Sequence, residues 1–218
     1  MYLPKHHEED RIEVLHKLIR SNPLGTWVAV GDGELIANHI PFLVDPCRGE
    51  FGTLIGHVAR ANPVWKATQS PIASVISFQG PQAYITPSWY PSKHEHGKAV
   101  PTWNYAVVHV HGQPEYREEL DWLHEHIAEL TNEHESNQAL PWKVDDAPSD
   151  FIERLKGLIV GVEIPITRIS GKWKTSQNRP EPDKLGVVAG LINKNDPESS
   201  EMASLIQQHI GPIDRSGR

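Results

Sequence analysis

The sequence predicts a mainly β chain with flanking helices (α+β), its strands closing into a small barrel. Three observations carry the expectation. Short runs rich in Val, Ile and aromatic residues recur between turn signals across residues 25–111, a spacing that suits a barrel better than a parallel sheet. Helical periodicity is confined to the N-terminus, one central stretch and the C-terminal third. A chain of 218 residues with 38% hydrophobic and 22% charged side chains has enough apolar surface for one sizeable core.

Taken in order, Ile12, Leu15, Leu18 and Ile19 recur at helical spacing and predict a helix over about 8–20, ended by Ser21-Asn22-Pro23. Strands at 25–30 and 34–44 flank Gly31-Asp32-Gly33, residue types that tolerate the positive φ of a hairpin turn. Residues 51–55, 72–78, 82–85 and 102–111 read as further strands, the middle two joined by a turn at Gln79-Gly80-Pro81. Leu120, Leu123, Ile127 and Leu130 form one stripe of a helix over about 117–135, which leaves His124-Glu125-His126 with the solvated residues. Pro148-Ser149-Asp150 introduces another helix, to 158. A final strand spans 158–170 and turns at Gly171, and C-terminal helices lie within about 183–210. No repeat or linker interrupts the chain, so residues 1–210 read as a single domain with helical additions, followed by a loose tail at 211–218.

The 28 acidic and 21 basic side chains leave a formal charge of -7, which disfavours a broad nucleic-acid-binding surface because phosphate neutralisation needs clustered Lys and Arg. With Cys47 alone, neither an intrachain disulfide nor a cysteine-based zinc cluster is possible. The first ten residues carry Lys5, Glu8, Glu9 and Asp10 instead of an apolar signal core. The longest apolar run, 158–166, is interrupted by Glu163 and is far shorter than the roughly 20 residues of a membrane span. These features predict a cytoplasmic protein that makes no use of a membrane.

Chemistry concentrates in a few places. Val100-Pro101-Thr102-Trp103-Asn104-Tyr105 sets two aromatic rings, a hydroxyl and a carboxamide at the start of a strand, a combination suited to a flat, polar ligand. The segment 56–63 follows a strand and is expected to open a helix, where free N–H groups favour an anion, with His57 and Arg60 as added donors. The alternative there is a solvated arginine and a capping histidine. Residues 172–179 gather Lys172, Lys174 and Arg179 with Thr175, Ser176, Gln177 and Asn178. That set suits a phosphate, the carbonyls and ring nitrogens of a flavin, a nucleic-acid backbone, or nothing beyond solvent. His109 and His111 share one strand face and offer two metal ligands, without an identifiable third. Serine-elbow, Walker, Rossmann and covalent-haem motifs are absent, as is a basic helix-turn-helix.

As an ordered set, six blocks resemble the PaiB-type FMN-binding negative transcriptional regulators, a family with the FMN-binding split-barrel fold. They are Met1-Tyr2-Leu3-Pro4, residues 37–42, residues 56–63, residues 78–90, Val100 to Tyr105, and residues 174–179. The likeness runs from Met1 to about Leu191. It implies a homodimer in which two split barrels share an interface and each FMN lies in a cleft lined by both subunits. His57 and Arg60 then fall where related barrels hold the FMN phosphate, with Asn38 and His39 on the same side. Lys174, Ser176, Gln177 and Asn178 approach the flavin from the barrel's other edge, and Trp103, Asn104 and Tyr105 match the family motif as neighbours of the flavin or a substrate wall. Promoter DNA is implied as a partner by the resemblance only. No residue stands out as a catalytic acid, base or nucleophile, so enzymatic activity stays open. The other readings are a flavin-dependent oxidoreductase and a haem- or metal-binding split barrel.

Overall fold

The computed structural model describes residues 1–31, 33–67 and 74–210. Its strands are β1 (Glu8–Glu9), β2 (Leu24–Gly31), β3 (Glu34–Pro41), β4 (Leu43–Asp45), β5 (Thr53–Ala59), β6 (Ser74–Ile85), β7 (Thr102–Gly112), β8 (Glu115–Arg117) and β9 (Ile159–Lys174). Its α-helices are α1 (Ile12–Ser21), α2 (Val64–Ala67), α3 (Ser92–His96), α4 (Leu120–Glu135), α5 (Ser149–Lys156), α6 (Glu181–Ile192) and α7 (Pro197–Gln207). The α+β class is as predicted. Strand order is β3-β2-β6-β7-β9-β5-β4, with β1 and β8 also on β9. The β2–β3, β2–β6, β4–β5, β5–β9, β1–β9 and β8–β9 ladders are antiparallel. Among the described residues no helix is long and apolar enough to cross a membrane.

Several expected breaks are absent, and others lie elsewhere. Gln79-Gly80-Pro81 makes no turn: β6 runs through it, because a proline in extended backbone interrupts a ladder only where its N–H is needed. Gly171 makes no turn either. A Cβ there would lie 2.3 Å from Leu15 Cδ2, so the glycine lets α1 pack directly on β9. The strand expected over 34–44 is divided at Phe42, whose N–H leaves the ladder to bond Pro23 O at 2.9 Å. β5 extends to Ala59, so Gly56 and His57 lie inside a strand and not at a helix start. Asp32, Ile72 and the tail at 211–218 lie outside the described residues.

Contacts divide the chain into two compact units. The first comprises Met1–Leu15, Gln79–Val108 and Ser170–Arg218. Its core joins Ala83 and Ile85 of β6 and the fully buried Tyr90 to Val187, Val188 and Leu191 of α6 and Met202, Ala203 and Ile206 of α7. The second comprises His16–Phe78 and His109–Ile169. There the inward residues of β2 and β6, Trp27, Ile76 and Phe78, are fully buried with Phe42, and Gly161 of β9 makes room for the Trp122 indole of α4. β6, β7 and β9 each contribute residues to both units.

Candidate functional site

In the first unit, the alternation of β7 sorts its polar-aromatic block. Successive strand residues face opposite ways: Trp103 is 48% exposed, Asn104 is 1% exposed and Tyr105 is half-buried. Asn104 Nδ2 donates to Ser176 Oγ at 2.9 Å. Its Oδ1 is buried without a partner, a costly state for an amide unless something else supplies a donor.

Ser176 follows the end of β9 with φ of 61°, in the left-handed region that non-glycine residues rarely adopt. Its neighbour Gln177 holds the turn: Nε2 donates to Trp173 O, while Oε1 accepts from Thr175 N–H at 2.8 Å and from His7 Nδ1–H at 3.0 Å. Backbone strain persists where surrounding contacts over-determine it, most often at functional sites. Thr175 is fully buried, and its Oγ1 also has no partner. Burial is the main force lowering the His7 pKa below the usual histidine value, so the ring meets Gln177 neutral.

Lys174 Nζ donates to Thr102 Oγ1 at 2.5 Å. Around these groups lies a cavity of about 120 Å³ lined by His7, Thr102, Asn104, Lys174, Ser176, Asn178 and Arg179, with Val100 and Pro101. The structure therefore brings Asn104, Lys174, Ser176 and Asn178 together, with Gln177 shaping the turn behind them. Trp103 and Tyr105 belong to the opposite face of β7. Trp103 Nε1 donates to Gln82 Oε1 at 3.1 Å, and its ring meets Tyr84 edge-on at 6.0 Å. Tyr105 lies under Lys172 Nζ, 5.5 Å from the ring centre.

The predicted residues of the second unit are arranged otherwise. Asn38 and His39 are consecutive in β3 and project to opposite faces, so their side chains do not line one side together. Asn62 Nδ2 donates to Asn38 Oδ1 at 2.7 Å, and Asn38 Nδ2 is buried without a partner. The expected anion cradle at 56–63 is not formed. Arg60 N–H bonds Leu158 O, Asn62 N–H bonds Ala59 O, and Asn62 Oδ1 caps Val64 N–H at the start of the four-residue α2. Arg60 spends three of the five N–H groups of a guanidinium on Gly157 O, Ile159 O and the Glu118 carboxylate.

His57 is paired with His126 of α4, Nδ1 to Nε2 at 3.0 Å. His126 is 2% exposed and stacks on Trp122, so it is no solvated helix residue. Burial lowers its pKa to about 3. Nearby, Glu163 is 2% exposed and held by Arg48 at 2.6 Å, Arg117 at 2.6 Å and Trp122 Nε1 at 3.2 Å. Its hydrogen bonds to Arg48, and then those to Arg117, outweigh burial and hold its pKa down to about 2.

Sequence reasoning missed three of these participants. His126 lies three residues after Leu123, so one more step of the helical stripe reaches it. A carboxylate inside an apolar strand run, as at Glu163, signals a buried ion pair. Nothing local marks His7, whose partner is 170 residues away. His109 and His111 do share a half-buried face of β7; among the described residues, however, no three His, Cys, Asp or Glu side chains are grouped to hold a metal.

The chain matches the family model described as "Putative FMN-binding domain" over residues 1–168. It is 33% identical to the protease synthase and sporulation protein PAI 2 of Bacillus subtilis over 96% of this chain and 98% of that one. An uncharacterised protein of Emericella nidulans is 32% identical over 95% and 97% respectively. Among solved structures, the flavocytochrome Anf3 from Azotobacter vinelandii superposes with a TM-score of 0.58 at 11% identity, covering 79% of this chain and 72% of that one. The FAD and heme binding protein from Mycobacterium smegmatis gives 0.57 at 16%, covering 77% and 73%. At such identities the likeness is one of fold.

Proposed function

The chain belongs to the FMN-binding domain family, and from that premise we propose that it is a homodimeric, cytoplasmic flavoprotein acting as a negative transcriptional regulator of the PaiB type. Its fold is the split barrel of flavin-binding proteins. The observation that carries the placement of the cofactor is the buried, unpartnered Asn104 Oδ1 beside a cavity edged by Lys174 and Arg179. An isoalloxazine ring presents one imide N–H among several acceptors, and its phosphate carries negative charge. Asn104 offers the acceptor for that N–H, while Lys174, Arg179 and Asn178 offer donors for carbonyl or phosphate oxygens.

At about 120 Å³ the cavity is smaller than the ~300 Å³ at which sites for drug-sized ligands begin. It therefore accommodates part of an FMN, and the proposal assigns the rest to a shared dimer cleft. When bound, the flavin supplies reversible electron transfer, the chemistry through which such a regulator would sense redox state. The protein's part is to fix the ring by Asn104 and the Ser176 turn and to balance its charge with Lys174. His57 and Arg60, already engaged inside the protein, enter as neighbours of the cofactor by family position, as do Asn38 and His39. The oxidoreductase and haem or metal readings gain no residue from this geometry.

The test is the visible spectrum of the purified protein, before and after incubation with FMN and gel filtration. Retained stoichiometric flavin is expected. Protein that stays colourless after incubation rejects the reading.

A further inference from the structure

Within the second unit, a cavity of about 460 Å³ lies between α4 and the edge strand β4 with its neighbour β5, inside the ~300–1,000 Å³ range of small-molecule sites. Its floor is apolar, with Phe42, Val44 and Ile55 at 1%, 8% and 8% exposure. Its wall is acidic: Asp45 comes from β4, and Glu129 and Glu133 follow one turn apart on α4. Asp45, Ile55 and Glu129 also line a second cavity of about 140 Å³, to which Glu125 and His126 belong. The shared lining makes the two cavities adjoining parts of one groove.

The groove carries an excess of negative charge, Asp45, Glu125, Glu129 and Glu133 against Arg20 and Arg48. Glu125, Glu129 and Glu133 recur every four residues, a spacing at which like charges destabilise a helix. None of them has an ion-pair partner among the described residues. Arg48, on the inner wall, is committed to Glu163 at 2.6 Å, and Arg20 and His134 line only the larger cavity. The inner end supplies an independent sign of a missing partner. His126 is 98% buried and lines the smaller cavity, yet its Nδ1 meets no hydrogen-bonding atom. Whichever ring donates in the His57–His126 bond, Nδ1 keeps an unmet hydrogen-bonding position, and in the Nε2–H tautomer that position is a lone pair able to accept from an ammonium.

We propose that this groove binds an elongated organic ammonium, an alkyl chain bearing cationic N–H donors at its ends. The chain would cross Ile55, which lines both cavities, with one ammonium on the larger cavity's side among Asp45, Glu129 and Glu133 and the other toward His126 and Glu125. Such a ligand brings positive charge, N–H donors and apolar surface to a lining in which carboxylates outnumber the cations Arg20 and Arg48. A bare metal ion does not match it, since no three ligating side chains are grouped there among the described residues.

Calorimetric titration of the full chain with hexamethylenediamine tests this, with hexylamine, hexanol and ionic-strength-matched magnesium chloride as controls. Saturable binding of one diamine per chain is expected, at least about tenfold weaker for hexylamine and absent for hexanol, since each lost charge-assisted contact costs about a decade of affinity or more. Glu129 is exposed, so Glu129→Gln will fold. That variant should weaken the diamine by about tenfold and leave FMN retention unchanged, which separates this groove from the flavin site. Hexanol binding as tightly as the diamine, a response reproduced by magnesium chloride, no heat at millimolar diamine, or unaltered binding in Glu129→Gln each overturns the proposal.

Discussion

Asn104 and His126 are each buried with one polar atom unmatched, but the two have different consequences. For Asn104, a flavin bound as proposed would resolve the deficit, so the side chain would bear on affinity more than on the fold. In the proposed site Lys174 beside it would add a charge-assisted contact of about 1.5–3 kcal/mol, so Lys174→Ala should weaken FMN binding by roughly ten- to a hundredfold, read by fluorescence titration. Unchanged affinity would move the flavin away from the Ser176 turn. For His126 the consequence is pH dependence. Its pKa falls from 6.5 to about 3 on folding, so between those values the unfolded chain binds a proton that the folded chain refuses. Stability therefore rises with pH through this window and is lost as pH falls from 6.5 toward 3, at up to about 1.4 kcal/mol per pH unit for each proton. Burial shifts His57 in the same direction. Glu163, held down to about 2 from 4.5, adds a second acid-side loss below pH 4.5. Melting temperatures across pH 7 to 4 should decline, and His126→Gln should flatten the slope above pH 4.5. A slope identical to wild type would refute the assignment to His126.

At the scale of elements, α6 shows how glycines place an aromatic ring. Gly186 and Gly190 stand one turn apart, and a Cβ on either would fall 2.0 Å from Trp89 O or 2.3 Å from Trp89 Cδ2. The pair cuts a notch into which the 3-10 turn of Pro87–Trp89 settles. Alanine is the better helix former by about 0.8–1.0 kcal/mol, yet overpacking against a backbone oxygen costs about 1–3 kcal/mol. Gly186→Ala should therefore lower the melting temperature by a few degrees, with about 2–4 °C expected per kcal/mol at this size. A rise would show that α6 slides freely. The sequence carries no mark of this notch, because a mid-helix glycine pair looks the same whether it receives a ring or merely weakens the helix. For the same reason Gly80, Pro81 and Gly171 misled: turn residues state which backbone is permitted, and only a partner such as Leu15 decides which is used. By contrast, the β2–β3 hairpin, β7 and α1 were legible, since their periods reflect burial directly. Within the candidate site, Asn104, Lys174, Ser176 and Asn178 could be named from residue chemistry and family likeness. His7 could not, because its role depends on a pairing with Gln177, 170 residues away.

For the whole molecule, the proposed homodimer and the proposed regulation make separate demands on the surface. Tyr84 and Trp103 expose 46% and 48% of their surface on one sheet face of the first unit, and exposed aromatic pairs are favoured at interfaces. Paired substitution of Tyr84 and Trp103 by Glu should shift sedimentation from dimer to monomer, and FMN should then bind more weakly if the cleft is shared. A dimer that persists with full FMN affinity would place the interface elsewhere. Repression faces a harder constraint, since a chain of formal charge -7 must meet a polyanion. Lys174 and Arg179 are the cations that line the candidate flavin site, and each neutralised phosphate adds about -0.9 to the slope of log affinity against log salt. A dimer using both on each protomer would reach a slope of about -4, while indirect regulation through another protein would give no specific slope at all. Lys174 cannot serve both DNA and a flavin phosphate, so FMN-loaded protein should show a slope shallower by about 2 than flavin-free protein, one phosphate per protomer. Promoter-binding titrations from low to physiological salt, run on both forms, measure this difference. Identical slopes would separate the flavin from any DNA contact made by this loop.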